Sequence, residues 1–157
     1  MFPRISVRSS ALPLMIAIIA AVSSPATASA ADKVKIKIWA IRATTSNSKI
    51  SPELKSLAGK LKKDFKYTGY TLAKSTGGSV ELKKSKRFSL TGPYTVVVTP
   101  IEKGSKMKLK IELHQKSGGK NKKKLSTTIK IAPGKFQLLG RWSLGKGDVL
   151  ILAVSAK

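Results

Sequence analysis

Lys106–Ile131 reads KMKLKIELHQKSGGKNKKKLSTTIKI, and both of its halves alternate. In the first half Met107, Leu109, Ile111 and Leu113 fall on one side, and Lys106, Lys108, Lys110, Glu112 and His114 on the other. After a lysine-rich stretch from Gln115 to Lys124, with Gly118-Gly119 inside it, Leu125, Thr127, Ile129 and Ile131 resume the apolar side. Ser126, Thr128 and Lys130 take the polar side. A period of two marks a strand with one face on a core and one in water. The stretch therefore predicts a long antiparallel hairpin whose tip and solvent face carry dense positive charge.

The same reading extends outward in both directions. Val34, Ile36, Ile38 and Ala40 share one side of an earlier strand, and Lys33, Lys35 and Lys37 the other until Trp39 and Ile41 take it over. A strand that becomes apolar on both sides is moving from the rim of a sheet to its centre. Val149 to Val154 is apolar on both sides and is expected to be central. Between these, Ser51-Pro52-Glu53 has the chemistry of a helix start: a hydroxyl, a proline at the first helical position and an acid. Leu54, Leu57, Ala58, Leu61 and Phe65 follow at helical spacing, with Lys55, Lys60, Lys62 and Lys63 outside their arc. Such a helix covers a sheet, although the cationic amphipathic pattern also resembles a membrane-surface helix.

The remaining segments are shorter. Thr71–Ala73 and Val80–Leu82 are expected as brief strands on either side of a turn at Ser75–Gly78, and Lys83–Arg87 as a cluster of positive charge. Pro93–Ile101 and Phe136–Leu139 are expected as strands, with turns at Ala132-Pro133-Gly134 and Gly145–Gly147. One helix and about eight strands give an α+β fold, a mostly antiparallel sheet with one amphipathic helix packed on it.

The first thirty residues have a different character. Arg4 and Arg8 precede an apolar run from Ala11 to Val22, and a small-residue segment ends Ala28-Ser29-Ala30. That order is the pattern of a secretory signal peptide, and the run is too short to cross a bilayer. Residues 1–30 are read as this leader and 31–157 as a single exported domain, periplasmic or extracellular. Removing the leader takes away two cations and no acid, so a net charge of +24 becomes +22. The chain has no cysteine, which excludes disulfides and a lipoprotein anchor, and neither Asn47 nor Asn121 lies in a glycosylation sequon. These features favour a bacterial exported protein.

Catalytic motifs are poorly represented. Gly140–Gly147 has the spacing of a phosphate-binding loop but carries Gly147 where a hydroxyl should hold magnesium, and a strand rather than a helix follows. His114 is the sole histidine, expected to be solvated, and the seven acids are scattered. No catalytic residue, metal ligand or cofactor is assigned, and enzyme activity is not expected. The charge supplies the site instead: Lys106, Lys108, Lys110, Lys116, Lys120, Lys122, Lys123, Lys124 and Lys130 are the candidate anion-binding residues. Lysine far outnumbers arginine, and few aromatics interleave, which argues against sequence-specific nucleic-acid reading. The expected partner is an anionic polymer or lipid surface, bound in a salt-sensitive way.

Leu54-x-x-Leu57-x-x-x-Leu61-x-x-x-Phe65-Lys66-Tyr67-x-x-Tyr70, with Ile131-x-Pro133-Gly134-Lys135-Phe136-x-Leu138-Leu139-Gly140 and an apolar last strand, resembles small uncharacterised exported proteins of bacterial envelopes. The resemblance implies export and fold but no mechanism. The alternation of strand and glycine near the end is similar to that of secretin-type subunits. It implies the alternative role, a structural accessory subunit of an envelope assembly.

Overall fold

A computed structural model describes residues 32–157, and the leader read at residues 1–30 lies outside them. Eight strands follow one another: β1 (Lys33–Thr44), β2 (Gly69–Glu81), β3 (Lys86–Ser89), β4 (Tyr94–Glu102), β5 (Met107–Ser117), β6 (Lys120–Ile131), β7 (Phe136–Gly145) and β8 (Asp148–Ala156). Between β1 and β2 lie a 3₁₀ segment, Pro52–Leu57, and helix α1, Ala58–Phe65. The strands form two four-stranded sheets, ordered β2-β1-β8-β7 and β3-β4-β5-β6, with every neighbouring pair antiparallel. The fold is α+β, mostly antiparallel sheet with one short helix.

Alternation explains how the layers stack. Met107, Leu109, Ile111 and Leu113 of β5, with Val96 and Val98 of β4, share one core with Val34, Ile36, Ile38 and Ala40 of β1 and Leu150, Leu152 and Val154 of β8. The two sheets therefore pack face to face. A second core lies on the other side of the first sheet, where Ile41, Ala43, Ile151 and Ala153 meet Leu54 and Leu61 from the helical segment. β1 and β8 are the two inner strands of that sheet and have a core on each side. This is why their sequences turn apolar on both faces. The second layer of sheet was not visible in the pattern of any one strand.

The helix departs from expectation at its start. Ser51 does not cap it; its Oγ accepts the Leu72 N–H at 2.9 Å and ties the helix entrance to β2. With no side-chain cap and a Pro at the first position, the chain winds tightly, Leu54 N–H donating to Ser51 O at 2.9 Å. Lys66, at φ 54°, ends α1 in the left-handed conformation. Tyr70 locks the end of the helix to the sheet: its buried hydroxyl donates to Leu61 O at 2.9 Å and accepts Tyr67 N–H at 3.0 Å.

One local expectation is corrected and three are extended. Ser75–Gly78 is not a turn but the middle of β2, continuous from Gly69 to Glu81. A Cβ on Gly77 would overlap the Ile36 carbonyl of β1, so the glycine permits a close strand approach rather than a reversal. The bulge that does interrupt β2 is at Ala73, between the pairs Ala40↔Lys74 and Ile41↔Leu72. Lys83–Arg87 runs into a strand, β3, which extends to Ser89. Most of Gln115–Lys124 is also strand, since β5 and β6 close directly on Gly118-Gly119, both at positive φ (57° and 77°). Those angles are the ones a two-residue hairpin of the right twist requires. Finally, β7 runs on to Gly145, bulged between Leu139 and Trp142, and Gly145 pairs with Asp148 around Lys146-Gly147. The phosphate-loop spacing thus falls on a strand and a hairpin turn.

Candidate functional site: a basic outer sheet face

The outer face of the second sheet is fixed by register. Crossing from β3 to β6, its rows are Ser89, Thr95, His114, Lys123; then Arg87, Val97, Glu112, Ser126; then Thr99, Lys110, Thr128; then Glu102, Lys108, Lys130. The opposite parity supplies the core, so these side chains stand on the far side of the sheet from it.

The nine lysines expected to act together are not one cluster. Lys108 and Lys130 are direct cross-strand partners. With Lys103 and Lys106 they surround a shallow depression of about 410 Å³, in which Glu102 is the one acid. Glu102 Oε2 lies 3.7 Å from Lys108 Nζ, so Lys130 faces its like-charged neighbour with no acid of its own. Lys110 and Lys123 flank Glu112 instead, at 3.4 and 2.9 Å from Oε1. The hydrogen bond from Lys123, supported by Lys110, holds the Glu112 carboxyl below the ordinary carboxylate range. Lys116 stands opposite Asn121, beyond His114 on the same face. Lys124 is the extra residue of a bulge between Leu113 and His114, while Lys120 and Lys122 oppose Ser117 and Gln115 and so leave the hairpin on its other side.

His114 departs from the solvated side chain expected. It sits in the sheet face with 16% of its side chain exposed and Nε2 4.0 Å from Glu112 Oε2. Two cations of this face were not among the candidate anion-binding residues. Arg87 lies on β3, whose four residues are too few to show a period, and Lys103 joins Lys106 only because the β4–β5 turn folds over. A second depression, of about 410 Å³, carries Arg87 and Lys116 with no acid among its lining residues.

Among the described residues no three His, Cys, Asp or Glu side chains come together as a metal site, and no helix is long and apolar enough to cross a membrane. What the face offers is cationic hydrogen-bond donors at strand spacing, roughly 6–7 Å between alternate residues. Ammonium groups on flexible stems attract anions as point charges and set little shape specificity. Comparison with protein-family models, with curated proteins and with solved structures returned no match for this chain.

Proposed function

We propose that the protein is an exported, non-catalytic basic module that binds anionic polymers of a cell envelope through the outer face of its second sheet. The observation that carries this reading is the directly opposed pair Lys108–Lys130, with Lys103 and Lys106 beside it. Like charges placed opposite each other across two strands destabilise a sheet. An anion lying between them turns that cost into binding energy. The resemblance to exported envelope proteins and the leader-like first thirty residues put such a polymer within reach.

The test is retention on immobilised heparin, eluted with a salt gradient, for the protein and for the Lys108→Glu/Lys130→Glu variant. Each lysine withdrawn from the polymer lowers the slope of log affinity against log salt by about 0.7–0.9, the range known for nucleic acids. The variant is therefore expected to lose about 1.5 from that slope and to elute early. Absence of retention at low salt would end the proposal.

A structural accessory subunit is the second reading. It draws on the half-buried apolar side chains Leu125 and Ile129 of β6 and Leu139, Trp142 and Leu144 of β7, which margin the inter-sheet core on one edge strand of each sheet. A subunit of that kind would co-purify with a protein partner whether or not Lys108 and Lys130 are reversed.

A further inference from the structure

The opposite side of the sandwich carries a second basic surface. On the outer face of the first sheet, register sets out rows above the helix-covered part: Leu138, Ala153, Trp39, Ser75; then Phe136, Ser155, Lys37, Gly77; then Lys157, Lys35, Ser79. The helical segment covers the sheet around Ile41 and Ile151. Beyond it a groove of about 400 Å³ stays open, lined by Lys35, Lys37, Lys157, Phe136, Ser155 and Gly78 among others, with no Asp or Glu side chain in the lining. Lys35 and Lys37 are alternate residues of one strand, so their ammonium groups track a line. Lys35 and Lys157 are exchanged-hydrogen-bond partners (N···O 2.8 and 3.0 Å), a second pair of like charges set side by side.

The groove has an aromatic end but not a stacking platform. Trp39 is already stacked on Phe136, ring centroids 4.5 Å apart, and Lys37 Nζ sits 5.6 Å from the Trp39 centroid. Single-stranded nucleic acid is held largely by bases stacked on free aromatic faces. Neither outer face provides a row of these. A bilayer suits a broad convex surface rather than a groove. Alternate lysines in a groove without Asp or Glu fit a linear chain with regularly spaced charges, which is an acidic polysaccharide.

The two surfaces stand on opposite sides of two packed sheets, whose backbones alone lie about 10 Å apart. With lysine side chains added on both sides, the separation exceeds the ~8 Å Debye length at physiological ionic strength, so occupancy of one face does little to the other. We infer that the protein is bivalent, holding one acidic polysaccharide chain on the Lys108–Lys130 face and a second in the Lys35–Lys37 groove, and so cross-links them. This rests on the proposed anion binding and adds a second site and a consequence to it.

Heparin-coated beads loaded with the protein, washed, and then offered fluorescent polygalacturonate separate the two ideas. The protein is expected to load and then capture the labelled chain. Lys35→Glu/Lys37→Glu and Lys108→Glu/Lys130→Glu should each still load, through the remaining face, and each lose about tenfold or more of the capture. Lys49→Glu/Lys74→Glu, reversed equally but outside both surfaces, should keep it. Far-UV circular dichroism establishes that each variant is folded, and Lys35→Gln/Lys37→Gln gives the same comparison with a milder change. Loading without capture by the unaltered protein, or equal loss in all three charge-reversal variants, overturns the bivalent arrangement and leaves anion binding standing. Failure to load removes the anion binding itself. Capture of a single-stranded oligonucleotide in preference to polygalacturonate overturns the assignment to polysaccharide.

Discussion

Replacing Glu112 by glutamine is expected to strengthen polyanion binding, although the residue sits in the middle of the face proposed to bind. Its carboxylate engages Lys123 at 2.9 Å and Lys110 at 3.4 Å, and therefore occupies two of the cations an incoming polymer would use. Glutamine keeps the shape and removes the charge. One or two lysines become available, and each adds about 0.7–0.9 to the slope of log affinity against log salt. Between 50 and 200 mM salt the variant should then lose affinity by an extra factor of about 3 for one released lysine and about 10 for two, from a tighter start. The measurement is heparin affinity at a series of salt concentrations, protein and variant side by side. pH supplies an internal control. The lysines hold the Glu112 carboxyl below its ordinary value of 4.5, so it stays charged at mildly acidic pH. The difference in slope between the unaltered protein and the variant should therefore persist at mildly acidic pH and close only below the ordinary carboxylate range. A variant that binds more weakly, or with an unchanged slope, refutes the idea that Glu112 restrains this face.

Three further outcomes concern the scaffold. Tyr70 and Tyr94 are both buried, and burial pushes each phenol above its ordinary value of 10.0. A raised folded-state value means their stabilising contribution is complete below pH 10 and is lost as pH rises through that value, so the protein should unfold more easily in alkali. Tyr94→Phe, which removes the 2.7 Å hydrogen bond to Ser143 O joining the two sheets, should cost about 1–2 kcal/mol at neutral pH and flatten the alkaline decline, as read by denaturant midpoints across pH. Leu61→Ala, at the fully buried position of α1, should cost about 2–4 kcal/mol in the same assay, whereas a helix lying free on the surface would lose almost nothing.

How far the sequence discloses this molecule depends on whether a property belongs to one segment or to a pairing. The two-sided apolar character of β1 and β8 is written in their own residues, and so is the outward set of β5; both were legible. The count of eight strands was legible too, but its membership was not. Gly77-Gly78 has the composition of a turn, and only the partner strand reveals that Gly77 exists to let Ile36 O approach. β3 is too short for a period, so Arg87 could be read as part of a basic cluster but not assigned to a face. The lysine set shows the same division. Nine lysines could be assigned to a hairpin from alternation alone, but which of them meet depends on the bulge at Lys124, which shifts the parity of the rest of the strand toward the tip. Upstream of the bulge Lys108 meets Lys130; past it Lys123 reaches Glu112, and Lys120 and Lys122 turn away. Charge density is therefore a poor guide to the site, and charge opposition is a better one. Lys110 and Lys123 converge on Glu112, whereas Lys108 and Lys130 stand opposite each other with Glu102 beside Lys108 alone, and on the other outer face Lys35 stands opposite Lys157, so at these two places cations outnumber the acid side chains beside them.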